Sequence, residues 1–256
     1  MTVPVARRRD SLADSPVVRI ERLDLNFEPR AWPFAEARRA EIDAHFAKLR
    51  RERPTLWNGR VLLLHRHAVA KAVLQGSYLE TDFASFIAWR DWGFPDPTVA
   101  NCFALGALRS ADGAFILGIM ADHTANAGRV YFPGGTPDPS DVVDGRVDLD
   151  SSVRRELLEE TGLGVDDVSS DPAWQAVLDG PRIALLKVLR GREPATRLRE
   201  RIRRHLATQA TPELADIHIV RSAADLRPSM PNFVQAFLAD FWASENASMP
   251  DPARRI

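Results

Sequence analysis

The chain has 256 residues, 45% of them hydrophobic and 27% charged, so it carries the apolar material for one large globular core or two small ones. A formal net charge of −1 gives no whole-molecule attraction for nucleic acid or anionic lipid, and a charged ligand has to be bound by a local site. Cys102 is the single cysteine, which excludes an intrachain disulfide framework and a cysteine-based zinc cluster.

Residues 1–16 are polar and carry Arg7-Arg8-Arg9 with no apolar stretch after it, so they read as a flexible N-terminus and not as a secretory leader. Alternation of Val18, Ile20, Leu23, Leu25 and Phe27 predicts a strand over 17–27 with an irregularity near Glu21. Pro29 and Pro33 break the chain. Residues 34–51 read as a helix, with Ile42, Phe46 and Leu49 at i, i+4, i+7. A turn at 54–59, a strand at 60–67 and a mixture of short strands and turns over 68–93 follow. Residues 102–108 and 114–120, joined through Asp112-Gly113, predict a β-hairpin. A short strand at 129–132 then runs into Pro133-Gly134-Gly135. A helix is predicted over 151–161 with Gly162 as its stop, then a strand at 182–189. A basic helix at 195–206, a strand at 217–221 and a helix at 232–242 complete the series. Interleaved helices, strands and hairpins predict an α+β (mixed α/β) fold. The longest apolar runs, 102–108 and 114–121, are too short to span a bilayer, and a cytoplasmic protein is expected.

Chemistry is concentrated in Arg155-Glu156-Leu157-Leu158-Glu159-Glu160-Thr161-Gly162-Leu163. On a helix Glu156, Glu159 and Glu160 fall at i, i+3 and i+4, within an arc of roughly 100°. Like charges so placed repel by about 0.2–0.5 kcal/mol per pair, and a helix C-terminus disfavours anions further. An exposed acidic face is the ordinary explanation of such a run. The glycines on either side favour the alternative, a cation held between the carboxylates; hard oxygen donors select Mg²⁺ or Mn²⁺ over zinc.

With Gly134-Gly135 ahead of it, this segment resembles the Nudix box: glycine, five residues, an acid, seven residues, then Arg-Glu-apolar-x-Glu-Glu-x-Gly-apolar. The second half matches throughout. In the first half Asp141 stands where the family usually has Glu, and thirteen residues instead of seven separate it from Arg155, which implies a six-residue insertion within 142–150. Asp141, Asp144, Asp148 and Asp150 are then all candidates for the carboxylate that pairs with the box arginine. The resemblance implies a Nudix α/β/α sandwich over 100–245, an N-terminal α+β extension over 17–99 and a C-terminal tail over 246–256. It implies that Glu156, Glu159 and Glu160 hold Mg²⁺ or Mn²⁺ against a diphosphate, that Arg155 supports them, and that Gly134 and Gly135 border the substrate. The general base is left among Glu193, Glu200, Glu213 and Asp216.

A second resemblance lies in Pro54-Thr55-Leu56-Trp57-Asn58-Gly59, Thr81-Asp82-Phe83 and Trp89-Arg90-Asp91-Trp92-Gly93. These are similar to segments ahead of the Nudix domain in animal UDP-sugar-hydrolysing Nudix proteins. Tyr78, Phe83, Trp89, Arg90 and Trp92 become candidates to stack a base or grip a phosphate, with Trp89 and Arg90 foremost, against the plainer expectation that these aromatics build a lobe core. His65 and His67 lack a third metal ligand of suitable spacing. The arginines of 190–204 surround Leu198, Ile202 and Leu206, as on a solvated amphipathic helix.

The sequence therefore predicts a hydrolase cleaving the diphosphate of a nucleoside diphosphate-X, UDP-sugars ahead of ADP-ribose or dinucleotides, with a small nucleotide-type molecule and not nucleic acid or membrane as its partner. A catalytically inactive Nudix-fold ligand-binding protein is the rival, and a triphosphatase the third option. The oligomeric state stays open, a homodimer included.

Overall fold

The structure, a computed structural model, describes residues 16–248. The flexible stretch expected over 1–16 lies outside the described residues except for Pro16, and the expected tail does so beyond residue 248. In chain order the elements are β1 (Val17–Ile20), β2 (Arg22–Phe27), α1 (Pro33–Ala37), α2 (Arg39–Glu52), β3 (Arg60–Ala70), β4 (Val73–Asp82) and α3 (Phe83–Asp91). Next come β5 (Asn101–Arg109), β6 (Phe115–Met120), β7 (Val130–Tyr131), β8 (Gly134–Gly135), β9 (Val142–Val143), β10 (Arg146–Val147) and α4 (Leu149–Thr161). The chain closes with β11 (Val168–Asp179), β12 (Arg182–Gly191), α5 (Ala195–Leu206), β13 (Leu214–Val220) and α6 (Asn232–Ser248).

Two sheets organise these elements. The larger runs β1-β11-β12-β5-β6-β13, with β7 on β6 and β8 on β5. One of its faces packs Val153, Leu157, Leu198 and Ile202 from α4 and α5 against Ala104, Leu108, Leu185 and Leu189. The other packs Phe233, Val234 and Phe237 of α6 against Phe103, Phe115 and Leu186. The result is an α/β/α sandwich within an α+β fold. Buried on both faces, β5 and β12 read as nearly unbroken apolar runs.

The smaller sheet runs β3-β4-β2-β10-β9. On β3, Leu62 and Leu64 join the sandwich core while Val61 and Leu63 pack against α2 and α3, so consecutive residues serve opposite faces. The irregularity expected at Glu21 is the point where the chain changes sheets, β1 pairing β11 and β2 pairing β4. The last two strands, β9 and β10, come from inside the acidic motif and are joined by Asp144-Gly145 with φ 49° and 75°. Two positive φ values make a type I′ turn, whose twist suits a two-residue hairpin.

Several sequence expectations need correction. Residues 73–82 form one unbroken strand through Gly76, and 83–91 form a helix instead of turns. Helix α3 is buried from Ala84 to Trp89, so no amphipathic period marks it; its start is set by Asp82, whose Oδ1 accepts the Ser85 N–H at 2.7 Å. Strand β11 was not anticipated, because Asp171-Pro172 interrupts its pattern at a register shift between Ser170 and Trp174. The helix over 34–51 divides at Arg38, and α6 continues to Ser248. In the hairpin of β5 and β6 only Arg109 and Phe115 are partners; the strands then diverge, and β8 and β7 pair with them in the gap.

Candidate active site

Helix α4 carries the acids. Asp148 caps its start, accepting from the Asp150 and Ser151 N–H groups at 3.1 and 3.0 Å, and Gly162 ends it at φ 70°. A side chain at Gly162 would also strike the His205 ring, with Cβ 2.7 Å from Cγ. Leu157 is buried against the sheet, whereas Leu158 is 52% exposed.

The three glutamates share one helix face but differ in environment: Glu159 projects into solvent, Glu156 is partly buried, and Glu160 is 6% exposed. The Glu160 Oε1 accepts the Gly134 N–H at 3.0 Å. Burial holds the Glu160 carboxyl well above its ordinary range, the bond from Gly134 opposes this, and Glu156, Glu213 and Glu159 add repulsion. Burial likewise pushes Glu156 up to about 7, against the pull of Arg155 and with the repulsion of Glu159, Glu213 and Asp141. Gly134 is required where it stands. Its φ is +134°, and a Cβ there would lie 2.2 Å from the Ala104 carbonyl oxygen on the paired strand β5. Nothing lies within 4 Å of a Cβ at Gly135.

Arg155 ties the motif together. Its Nη2 donates to Asp141 Oδ1 at 2.9 Å and its Nη1 to Glu156 Oε1 at 2.7 Å, with Glu159 Oε2 at 3.6 Å. Asp141 is 5% exposed, and its Oδ2 accepts the Asp138 N–H at 3.0 Å. Of the four candidate aspartates, Asp141 is therefore the arginine's partner despite the insertion. Asp144 sits in the hairpin turn, Asp148 caps α4, and Asp150 pairs with Lys187 at 2.9 Å and Arg154 at 2.8 Å. The inserted residues leave the motif as β9 and β10 and return to it, the Asp148 N–H donating to the Asp141 carbonyl at 2.8 Å.

Among the described residues, no group of three or more His, Cys, Asp or Glu side chains is gathered so as to hold a metal ion as it stands. In donor chemistry the residues nonetheless fit a hard divalent cation. Glu156 and Glu160 are burdened by burial and by the charges of Glu159 and Glu213, and a cation would relieve both.

A cleft of about 1140 Å³ opens beside these acids, between the sandwich and the elements before residue 100. Glu156, Glu213, Tyr131, Gly134 and Gly135 line one part; Phe83, Arg90 and Trp57 line another. Of the four candidate bases only Glu213 reaches it. Glu193 and Glu200 face Arg201 and Arg197, and Asp216 is held by Arg203 through two bonds of 2.7 Å. Tyr131, its hydroxyl accepting from Asn126 Nδ2 at 3.1 Å, was not anticipated; its two-residue strand carries no periodic signal.

Two residues proposed for the substrate part company. Arg90 lines the cleft, but Trp89 is 0% exposed, its indole N–H donating to the Asp96 carbonyl at 3.0 Å and its ring set edge-on to Trp32 and Phe94. Trp89 is core and is withdrawn as a base-stacking residue. Tyr78 is also buried, donating to the Cys102 carbonyl at 3.0 Å, and the Trp92 ring lies 4.1 Å beneath Arg38. His65 lies 3.3 Å from Glu28 Oε2, and His67 is exposed. The basic helix spends Arg201 on Asp167 and Arg203 on Asp216.

No protein-family model and no curated protein matches the chain. Solved structures do. A Nudix hydrolase from M. smegmatis is 17% identical, covering 59% of this chain and 88% of its own at a TM-score of 0.36. A MutT protein from Methanosarcina mazei is 19% identical, covering 57% and 95% at 0.39. A bifunctional NMN adenylyltransferase/ADP ribose pyrophosphatase from Francisella tularensis, complexed with AMP and a manganese ion, is 12% identical, covering 62% and 46% at 0.39. At such distances an assignment of activity stands on the chain's own residues. No helix among the described residues is long and apolar enough to cross a membrane.

Proposed function

We propose that the chain is a divalent-metal-dependent hydrolase of the Nudix type, which cleaves the diphosphate linkage of a nucleoside diphosphate-X. The observation that carries this reading is the bond from Arg155 to Asp141. It closes the motif across a six-residue insertion and leaves Glu156 at the wall of a cleft, with Glu160 buried behind it on the Gly134 N–H. In this reading residues 100–245 are the hydrolase domain and 17–99 the lobe that bounds the substrate.

Glu156, Glu159 and Glu160 would hold Mg²⁺ or Mn²⁺, which when bound neutralises phosphoryl charge and acidifies water. Gly134 fixes one oxygen of Glu160, and Arg155 fixes Glu156, so the acids are positioned before substrate arrives. Glu213, on the cleft wall near Glu156 and Glu160, is the group we assign to accept the proton of the attacking water. Arg90 contacts the substrate away from the reacting phosphates, where binding improves positioning.

For substrate we propose a UDP-hexose, cut between its phosphates to UMP and a sugar 1-phosphate. A side-by-side assay of UDP-glucose, UDP-galactose, ADP-ribose, a dinucleotide and a nucleoside triphosphate, with both products identified, tests it. Faster cleavage of any of the last three would overturn the uridine assignment and leave the hydrolase reading standing. One observation favours a rival, a ligand-binding protein without chemistry: Arg155 engages Glu156 and lies 3.6 Å from Glu159, so part of the carboxylate charge is offset by the chain itself. Ligand affinity without turnover of any substrate in the panel would establish that rival.

A further inference from the structure

We propose that Trp57 is the stacking platform for the planar base at the non-reacting end of the substrate. The inference rests on the hydrolase reading for the position of the diphosphate, and it names the group that meets the other end.

Trp57 is 80% exposed, the most exposed of the large hydrophobic side chains among the described residues, and it lines the cleft that also holds Glu156. The segment around it is held on both sides. The Leu56 N–H donates to the Arg53 carbonyl at 3.0 Å, the Ala84 N–H to Asn58 Oδ1 at 2.7 Å, and the Phe83 N–H to the Gly59 carbonyl at 2.8 Å. The indole itself rests over Gly59, where a Cβ would stand 2.3 Å from its Cζ3 atom. Glycine therefore makes room for the ring, and the backbone fixes the ring's base while most of its surface meets solvent. An anchored, uncovered indole on a cleft wall is suited to stacking a base, which every nucleobase permits through its π-face.

The cleft supplies what the rest of such a molecule needs. Among the described residues the Arg129 guanidinium has no hydrogen-bond or ion-pair partner, and it faces the same space as Arg90, ready for phosphate oxygens. The carboxylates of Glu156 and Glu213 stand on the wall assigned to chemistry.

Equilibrium binding of UMP, AMP and inorganic diphosphate to the full chain tests this, with Trp57→Leu and Trp57→Phe compared with the wild type. Because the ring is exposed, both variants should keep the wild-type melting temperature. Trp57→Leu should weaken UMP and AMP by about tenfold or more, Trp57→Phe should retain most of the affinity, and diphosphate should bind all three alike. Equal nucleotide affinity in the wild type and Trp57→Leu would overturn the proposal, as would an equal loss of diphosphate. None of these measurements needs turnover, so loss of the hydrolase reading would not be mistaken for loss of this one.

Discussion

Replacing Asp141 with alanine should destabilise the protein and disable the site together. The carboxylate is 5% exposed and makes two bonds, one from the Arg155 guanidinium at 2.9 Å and one from the Asp138 N–H at 3.0 Å. A hydrogen bond to a charged group contributes about 1.5–3 kcal/mol, and a part-buried N–H left unpaired costs about 1 kcal/mol. Water reaches Arg155, whose side chain is 35% exposed, which favours the lower part of the range. Asp141→Ala should therefore cost about 2–4 kcal/mol in urea unfolding at neutral pH with a chelator present. Asp148→Ala removes only a helix cap and should cost about 1 kcal/mol. Asp144→Asn, at a positive-φ turn position that asparagine tolerates, should be close to neutral. Turnover by Asp141→Ala should fall in kcat, since Arg155 no longer anchors Glu156. A cost within about 0.5 kcal/mol of wild type, or one below that of Asp148→Ala, would refute the assignment of Asp141 as the arginine's partner.

Other outcomes follow from the same geometry. Gly134→Ala combines a φ of +134° with a 2.2 Å approach to the Ala104 carbonyl, and should lose about 2 kcal/mol or more together with turnover, read by melting and assay. Trp89→Ala should cost about 3–5 kcal/mol through the cavity it leaves, whereas Arg90→Ala should leave the melting temperature unchanged and lower turnover of the preferred substrate. In metal-free protein Glu156, with its carboxyl near 7 against an ordinary 4.5, favours folding when protonated. Its contribution is complete below about 4.5 and disappears as pH rises through 7, a difference of at most about 3 kcal/mol. Glu156→Gln should flatten that part of the pH–stability profile in chelator, and a variant less stable than wild type at pH 8 would contradict the burial of this charge.

The acidic motif was legible because its chemistry is local: one helix, a capping glycine and a spacing of i, i+3, i+4 put the acids on one face whatever the rest of the chain does. The α5 stripe of Leu198, Ile202 and Leu206 was legible for the same reason. What the sequence concealed was long-range. Which aspartate meets Arg155 depends on how the insertion folds, and the signal that would have shown it, Asp144-Gly145 between Val142-Val143 and Arg146-Val147, is a hairpin turn overlooked beside the stronger Asp112-Gly113. Helix α3 was hidden by burial all round, and Trp89 looked available because aromatic content says nothing about which face a side chain turns to. Glu213 became distinguishable from Glu193, Glu200 and Asp216 only when their arginine partners were placed.

A magnesium titration of product release by wild type and Glu160→Gln, run on UDP-glucose and ADP-ribose with both products identified by chromatography, tests the central claim most directly. The wild type should be inert in chelator, gain activity with added Mg²⁺ or Mn²⁺, and release a nucleoside monophosphate with its phosphorylated partner, while Glu160→Gln stays folded and inactive. Hydrolysis by Glu160→Gln at the wild-type rate with the same metal dependence would contradict the account.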